Sequence, residues 1–426
     1  LKISHIAFGN ISIKASNITD RIIIKPFNLH PNEIVVNSSY SNETFKESNS
    51  SISIIRSSDI NDGKYQHFED VINLIPNLNF SGGTSRPKYF QIRGVGELSQ
   101  FSGEGPPQFY VGYIIDDIDF SGIGAVGILT DVNQIEVFKG PQSVIYGPNT
   151  SAGVINIVTN NPTPYSTGSG SMSLNDDNGY NISSKYSNKL FKNLLYNIAI
   201  SKNYSDGFRK NKFFNISNSN KKDESLFKSK LFYQLSKSIS LKLTSYLINI
   251  HNGYDVWTPD NNGFNTYSDY KGIDCQKVNA HSIKTTLDLN GFKLISITSY
   301  SDNMIDYAYD ADWGNDTYWK NEYDWYANSE SYQFNNLDYF PYGYYSYTFT
   351  DSTHRQRNQF TQELRLYNKN NVFGIYLSNL QEDDNRFGWL FGGKATSLDS
   401  KFKIENTAIY FKTKFNLNQK LNIELS

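Results

Sequence analysis

Two periodicities divide this chain. Beyond about residue 163, segments of roughly ten residues alternate apolar and polar positions, the pattern of strands with one apolar and one wet face. Leu194, Tyr196, Ile198 and Ile200 form one such face, opposed by Asn193, Asn197, Ala199 and Ser201. Ile239, Leu241 and Leu243 alternate with Ser240, Lys242 and Thr244, and Ile409, Phe411, Thr413 and Phe415 with Tyr410, Lys412 and Lys414. The same pattern predicts strands at 171–187, 225–235, 281–289, 292–301, 359–367 and 372–380. Asn, Asp, Gly and Lys separate them, as turns require. Two long polar-aromatic stretches, 251–277 and 302–356, interrupt the alternation and are expected to be loops.

Before residue 163 the pattern is mixed. Ile52–Arg56 reads as a strand, and Phe68, Val71, Ile72 and Ile75 share one helical face that Pro76 ends. Polar loops follow at 81–88 and 97–108. Tyr110 to Ile118 predicts a strand carrying Asp116 and Asp117, read as a structural turn because adjacent strand residues face opposite ways. Ile135–Phe138 and Gly153–Val158 are further strands, and Gly140, Gly147 and Gly153 mark positions of positive φ or close backbone approach. Strands mixed with a short helix make this a small α+β domain. Upstream, Leu1–Phe8, Ile11–Ala15 and Arg21–Ile24 are expected to be short strands, followed by Glu33-Ile34-Val35-Val36 in a polar stretch.

Composition narrows the class. Of the 426 residues, 38% are hydrophobic, yet aromatics reach 15%, with 31 Tyr and 28 Phe. A transmembrane β-barrel with aromatic girdles has this balance. A nucleotide bias that raises Asn, Lys, Ile, Tyr and Phe together gives it too, so composition alone leaves both open. No apolar run is long enough for a membrane-crossing helix, which says nothing against a barrel. The net charge of −2 points to no nucleic-acid partner. Cys275, the single cysteine, excludes an intrachain disulfide and a multi-thiolate metal site. The six histidines show no metal-ligand spacing. Asp176–Gly179 and Asp260–Gly263 read as turns without the spacing of a calcium loop. No catalytic constellation is present, so no enzyme, cofactor or metal site is expected.

Four segments in order carry a family resemblance: Ile92-Arg93-Gly94, the strand Tyr110–Ile118, Ile135–Gly147 (IEVFKGPQSVIYG) and Gly153–Thr159 (GVINIVT). Together they resemble the plug domain of TonB-dependent outer-membrane receptors. The resemblance implies a mainly β fold, with a small α+β plug followed by antiparallel strands of an incomplete barrel of the roughly 22-stranded, plugged kind. It divides the chain into four parts. Residues 1–32 resemble a remnant of a carboxypeptidase-regulatory-like β-sandwich, with a floppy arm as the other reading. Residues 33–50 are the TonB-box segment and linker, 51–162 the plug, and 163–426 the N-terminal part of the barrel. Glu33–Val36 would be the TonB box, which adds as a strand to its energising partner; a first plug strand is the competing reading.

The resemblance also implies site residues. Arg93 and Lys139 would latch the plug to barrel-wall carboxylates such as Glu363, with Lys139 unable to make the bidentate pairing of an arginine; ordinary surface charges are the alternative. Ligand contacts would come from plug and extracellular loops, including Arg86, Gln100, Phe101, Trp313 and Trp319. The loop aromatics suit stacking on a flat ligand, or equally an interfacial girdle. The implied role is energy-dependent uptake of a scarce nutrient, such as a ferric siderophore, haem, cobalamin or oligosaccharide, in a Gram-negative-type outer membrane. The implied partners are TonB with its inner-membrane complex, outer-membrane lipid, and a small molecule or metal chelate. A passive porin, a surface-binding protein and a non-functional fragment are the alternatives. The lack of a leader at Leu1 and the end inside a strand at Ser426 lead us to expect that the sequence is a piece of a longer protein, which alone would leave a strand edge open in lipid.

Overall fold

A computed structural model describes residues 2–5, 9–12, 50–81, 84–97, 107–124, 126–142, 147, 149–322, 350–390, 393–418 and 421–425. The chain forms two compact units, Leu1–Asn49 and Ser50–Ser426. In the first, β1 (Lys2–His5) pairs antiparallel with β2 (Gly9–Ser12). The expected strand at Arg21–Ile24 and the segment Glu33–Val36 lie outside the described residues.

The second unit begins with an inner domain. Its strands are β3 (Ser51–Arg56), β4 (Leu78–Ser81), β5 (Tyr89–Ile92), β6 (Val95–Gly96), β7 (Val111–Ile115), β8 (Ile118–Asp119), β9 (Val132–Lys139) and β10 (Gly153–Thr159). They form a five-stranded sheet in the order β3-β9-β10-β7-β8 and a three-stranded sheet β4-β5-β6. Between β3 and β4 lie α1 (Ser57–Asp62) and α2 (Phe68–Val71), the latter running into a 3₁₀ turn at Ile72–Leu74. Asp70 accepts from the backbone N–H of His67, and the His67 ring from that of Glu69, which caps α2. The face expected for this helix, Phe68, Val71, Ile72 and Ile75, is buried. Phe68 meets Phe90 and Tyr113 with ring centroids 5.6 Å away in each case. Helix α1 escapes the sequence pattern because only its Ile60 is buried. Central β9 and β10 are covered on both faces, and the polar residues this encloses bond to one another, Gln134 and Asn156 donating to Glu136 at 2.8 and 3.1 Å.

The wall follows as one antiparallel sheet of eleven strands. In order they are β11 (Thr167–Asn175), β12 (Gly179–Phe191), β13 (Leu194–Ser205), β15 (Lys222–Gln234), β16 (Ile239–Gly253), β18 (Ile273–Leu289), β19 (Phe292–Asp310), β20 (Thr350–Tyr367), β21 (Asn371–Leu390), β22 (Gly393–Asn418) and β23 (Leu421–Leu425). The two-residue strands β14 (Lys210–Asn211) and β17 (Asn265–Thr266) pair apart from it, joining two loops at one end. A third loop there carries α3 (Asp316–Glu322). At the other end the connections are short, such as Asn290-Gly291.

Alternate wall residues face the inner domain, and the others form an exposed apolar band that includes Phe227, Ile283, Leu364, Phe373, Leu377 and Ile409. Above the band the outward face turns charged, with ion pairs Lys401–Asp383 and Lys403–Glu405. This corrects the loop boundaries. Residues 251–253, 273–277, 302–310 and 350–356, expected in loops, continue the strands. Past the apolar band neither face needs hydrophobic residues, so alternation disappears while the backbone ladder persists.

Gly153 opens β10 at φ 152, where a Cβ would lie 2.2 Å from the Phe138 carbonyl oxygen and 2.7 Å from Ile92 Cδ1. We expect Gly153→Ala to destabilise the inner domain by about 2–4 kcal/mol, combining backbone strain and overpacking. The urea dependence of its protease protection measures this, and an unchanged midpoint would refute the close β9–β10 approach.

Candidate functional site

The inner domain meets the wall through apolar residues such as Leu226 and Ile248 and through charge. Its lower edge is the β7–β8 turn, where Asp116 and Asp117 adopt φ 49 and 69, the left-handed region that aspartate tolerates better than most residues. The strand expected to run to Ile118 therefore breaks here, and both carboxylates are freed to point at the wall. Asp116 Oδ1 lies 2.8 Å from Lys230 Nζ, and its Oδ2 accepts from the Tyr246 hydroxyl at 2.6 Å and the Thr159 hydroxyl at 2.6 Å. Lys230 also donates to the Thr159 carbonyl oxygen at 2.9 Å. Asp117 meets Lys284 at 3.2 Å and Lys242 at 3.8 Å.

A second acidic corner, Asp131, has φ 60 and lies 2.5 Å from Lys228 and 3.4 Å from Lys185. Lys228, Lys230, Asp116 and Asp131 are almost wholly buried. Burial alone would raise both turn carboxyls, but the lysines outweigh it. Lys230 and Lys228 hold Asp116 far below the usual range. Lys284 and Lys242 leave Asp117 at about 2.

At the upper edge the polarity reverses. Arg86 donates in bidentate fashion to Glu224, Nε to Oε1 at 2.7 Å and Nη2 to Oε2 at 2.8 Å, while Nη1 reaches Glu69 at 2.8 Å. Asn252 and Asn203 each donate to Glu224 at 3.0 Å, completing its shell. The backbone N–H of Ser85 donates to Asp274 at 2.7 Å. Across the lumen, Arg357 donates to the Ser121 carbonyl oxygen at 2.9 Å, and Gln359 to Asp119 at 3.1 Å. Arg357 and Arg355 are themselves paired within the wall, to Glu382 and to Asp384 at 2.9 Å.

Several expected site residues move. Arg86, expected in a ligand loop, is 4% exposed and fully engaged by two carboxylates, so it ties the inner domain to the wall. Glu363 pairs with Arg365 at 2.6 Å and accepts from the Tyr410 hydroxyl, so it does not take up Arg93 or Lys139. Arg93 lies at φ 55 in the turn after β5, and burial together with the like charge of Arg93 lowers the Lys139 ammonium. Neither makes an ion pair with a described residue. An ionic tie between inner domain and wall is present, but residues other than Arg93, Lys139 and Glu363 make it. Its one legible signal was a lysine on the polar face of an alternating strand, as at Lys242; the turn reading of Asp116-Asp117 was right about the backbone and silent about the wall.

The upper end is aromatic. Tyr254, Tyr307 and Tyr309 cluster with ring centroids 5.1–6.2 Å apart. Lys88 Nζ of the inner domain lies 5.0 Å from the Tyr89 ring and 5.8 Å from Tyr307. Trp313 is 39% exposed and stacks on Trp257 at 5.5 Å, so its face suits contact. Trp319 instead packs on Tyr318 and donates to Asp312 at 3.4 Å, holding its loop. Gln100 and Phe101 lie outside the described residues.

Comparison with known proteins follows this division. The family model described as TonB-dependent Receptor Plug Domain matches residues 44–154. The pesticin receptor of Yersinia pestis is 25% identical over 130 residues, 30% of this chain and 19% of that protein. The structure of the ferric yersiniabactin uptake receptor of Yersinia pestis superposes at TM-score 0.73 and 18% identity, covering 91% of this chain and 57% of that one. The siderophore receptor of Acinetobacter baumannii gives 0.65 at 15% identity, covering 89% and 57%. The chain thus spans little more than half of these solved receptors.

A buried ion pair adds little net stability, but removing one partner strands the other. We expect Lys230→Met to weaken docking of the inner domain by about 3–5 kcal/mol, and Asp116→Asn with Lys230→Met to recover part of it. Protease protection against urea reads both, and additive effects would refute the pairing. The pH dependence has a definite sign. The depressed carboxyls stabilise the docked state above the ordinary aspartate value of 3.8, and this is lost as pH falls toward about 2. Protection is therefore expected to hold down to about pH 4 and decline below it; a decline centred near pH 6 would point to other groups.

Proposed function

Because this chain carries the plug and part of the barrel of a TonB-dependent outer-membrane receptor, we propose that it takes up a scarce nutrient of the ferric-siderophore class, driven through TonB. The reading is carried by one observation: a domain of the plug family is seated against barrel-type strands and tied to them by buried ion pairs, beside an apolar contact with wall residues such as Leu226, Tyr246 and Ile248. Charged partners exchange for water at modest net cost, so such a stopper can move without unfolding the wall. A wholly apolar interface of the same extent would resist this more, since every separated contact exposes hydrophobic area. Family and fold are those of receptors and transporters, not enzymes, and of the Gram-negative outer membrane.

In this reading the aromatic end, with Tyr254, Tyr307, Tyr309, Trp313 and Lys88, receives the ligand. Flat conjugated or phenolic faces would stack there, with Lys88 as a charge partner. Residues 33–50 would carry the segment that meets the periplasmic partner. Glu33–Val36 would add as a strand to the inner-membrane partner and transmit its pull to the plug. No nucleotide site is needed, because the work is done by that partner.

Uptake by the receptor carrying this chain tests the proposal. Cells expressing it are supplied with ferric chelates labelled with radioactive iron. Deletion of Glu33–Val36 is expected to leave binding of a transported chelate intact and reduce uptake to background. Uptake unaffected by the deletion would overturn the TonB coupling, and a receptor that neither binds nor transports any ferric chelate would overturn the substrate class.

A further inference from the structure

The wall is not charged evenly. On β20 and β21 the lumen-facing charges neutralise one another within the wall, Arg357 with Glu382, Arg355 with Asp384 and Arg365 with Glu363. On β12, β15, β16 and β18 they do not. Lys222, at the upper end, meets the plug carboxylate Glu69 at 3.8 Å; below it five further lysines, Lys185, Lys228, Lys230, Lys242 and Lys284, face the plug, and their partners are three plug carboxylates, Asp131, Asp116 and Asp117. Strand pairing puts them in neighbouring rows. Lys185 shares a row with Lys228 through Ala199, and Lys242 is directly opposite Lys284. Among the described residues of these four strands, the lumen-facing acids are elsewhere. Glu224 and Asp274 stand at the upper end, and Asp288 at the lower rim beside Lys293.

We propose that this lysine comb is the wall of the transit path, and that the path conducts anionic ligands. The inference rests on the transport reading above. With the plug seated, three carboxylates oppose five ammoniums. When the plug shifts, Asp116, Asp117 and Asp131 leave with it, and the comb faces water with its positive charge uncompensated. A cleft of one sign with low-dielectric walls concentrates ions of the opposite sign. The plug carboxylates occupy the places that the oxygens of a passing anion would take, at hydrogen-bond distance from Lys228 and Lys230. The cargo is therefore a chelate bearing carboxylate, phenolate or similar oxygen charge. A cationic chelate would meet a barrier on this side, while the β20–β21 side offers no net charge to steer either.

The test uses the receptor carrying this chain, purified and placed in planar bilayers, with potassium chloride as the probe. Asp116→Asn, Asp117→Asn and Asp131→Asn together loosen the plug while keeping every lysine. Conductance should appear, with chloride several-fold more permeant than potassium by reversal potential in a salt gradient. Adding Lys185→Gln, Lys242→Gln and Lys284→Gln should keep the conductance and bring the permeability ratio toward one. A loosened receptor that conducts with a ratio at or below one overturns the anionic path and leaves the transport reading standing, as does a ratio unmoved by the lysine changes. A receptor that stays folded, by its retained heat-dependent gel mobility, and never conducts overturns both. Loss of that mobility is met by repeating the measurement on the unsubstituted receptor with its plug loosened at pH 3, where the same ratios decide.

Discussion

Everything in the larger unit depends on how a wet, charged lumen face accommodates a folded domain. The wall presents an apolar band outward and a mixed face inward, where Leu226, Ile248, Ile250 and Val278 join the apolar core of the plug. Between them the contact is made by desolvated ion pairs, Asp116–Lys230 and Asp131–Lys228 below and Arg86–Glu224 above. Each pair sacrifices hydration for Coulomb attraction, with little net gain but a severe penalty for mispairing. This gives precise seating without tight adhesion. The plug has an apolar core built from residues such as Phe68, Ile135 and Ile155, which continues into wall residues such as Leu226 and Ile248.

The geometry of the seam follows from local backbone choices. Asp116, Asp117 and Asp131 each hold positive φ, which turns the chain sharply and aims a short carboxylate outward. A longer side chain there would lose more rotamer freedom and reach past the lysines. On the wall, Lys228 and Lys230 are two residues apart on one strand and so face the same way. Their long stems cross the gap to the plug while their heads meet the carboxylates.

The same alternation explains how the wall serves two environments. Within the apolar band, outward residues such as Ile283 and Leu364 meet lipid while their neighbours line the lumen. Above it, β19 to β22 continue as strands with charged residues on the outer face. The tall rim carries Tyr307 and Tyr309, which converge with Tyr254 and Lys88 over the plug. The upper and lower plug contacts thus share a strand, β18, which carries both Asp274 above and Lys284 below. Such a strand is a rigid link between the two ends, with no hinge required in the wall.

Much of this was legible in the residue order. Alternation set out the wall strands, the spacing of Phe68, Val71, Ile72 and Ile75 gave the helix, and four ordered motifs gave the plug. These are local properties, decided by periodicity and by the few residues that tolerate a given turn. The seam was not legible, because pairing Asp116 with Lys230 or Arg86 with Glu224 joins positions more than a hundred residues apart. Sequence spacing says nothing about such a pair; only the register of the wall and the docking of the plug bring them together. For the same reason Glu363 was matched to the wrong partner, since Arg365, on the same face of its own strand, is closer than anything on the plug. The strand extensions beyond the lipid band were missed because the solvent there demands no pattern. The sequence by itself thus determined the two domains and the faces of their elements; tertiary structure alone decided which charges meet.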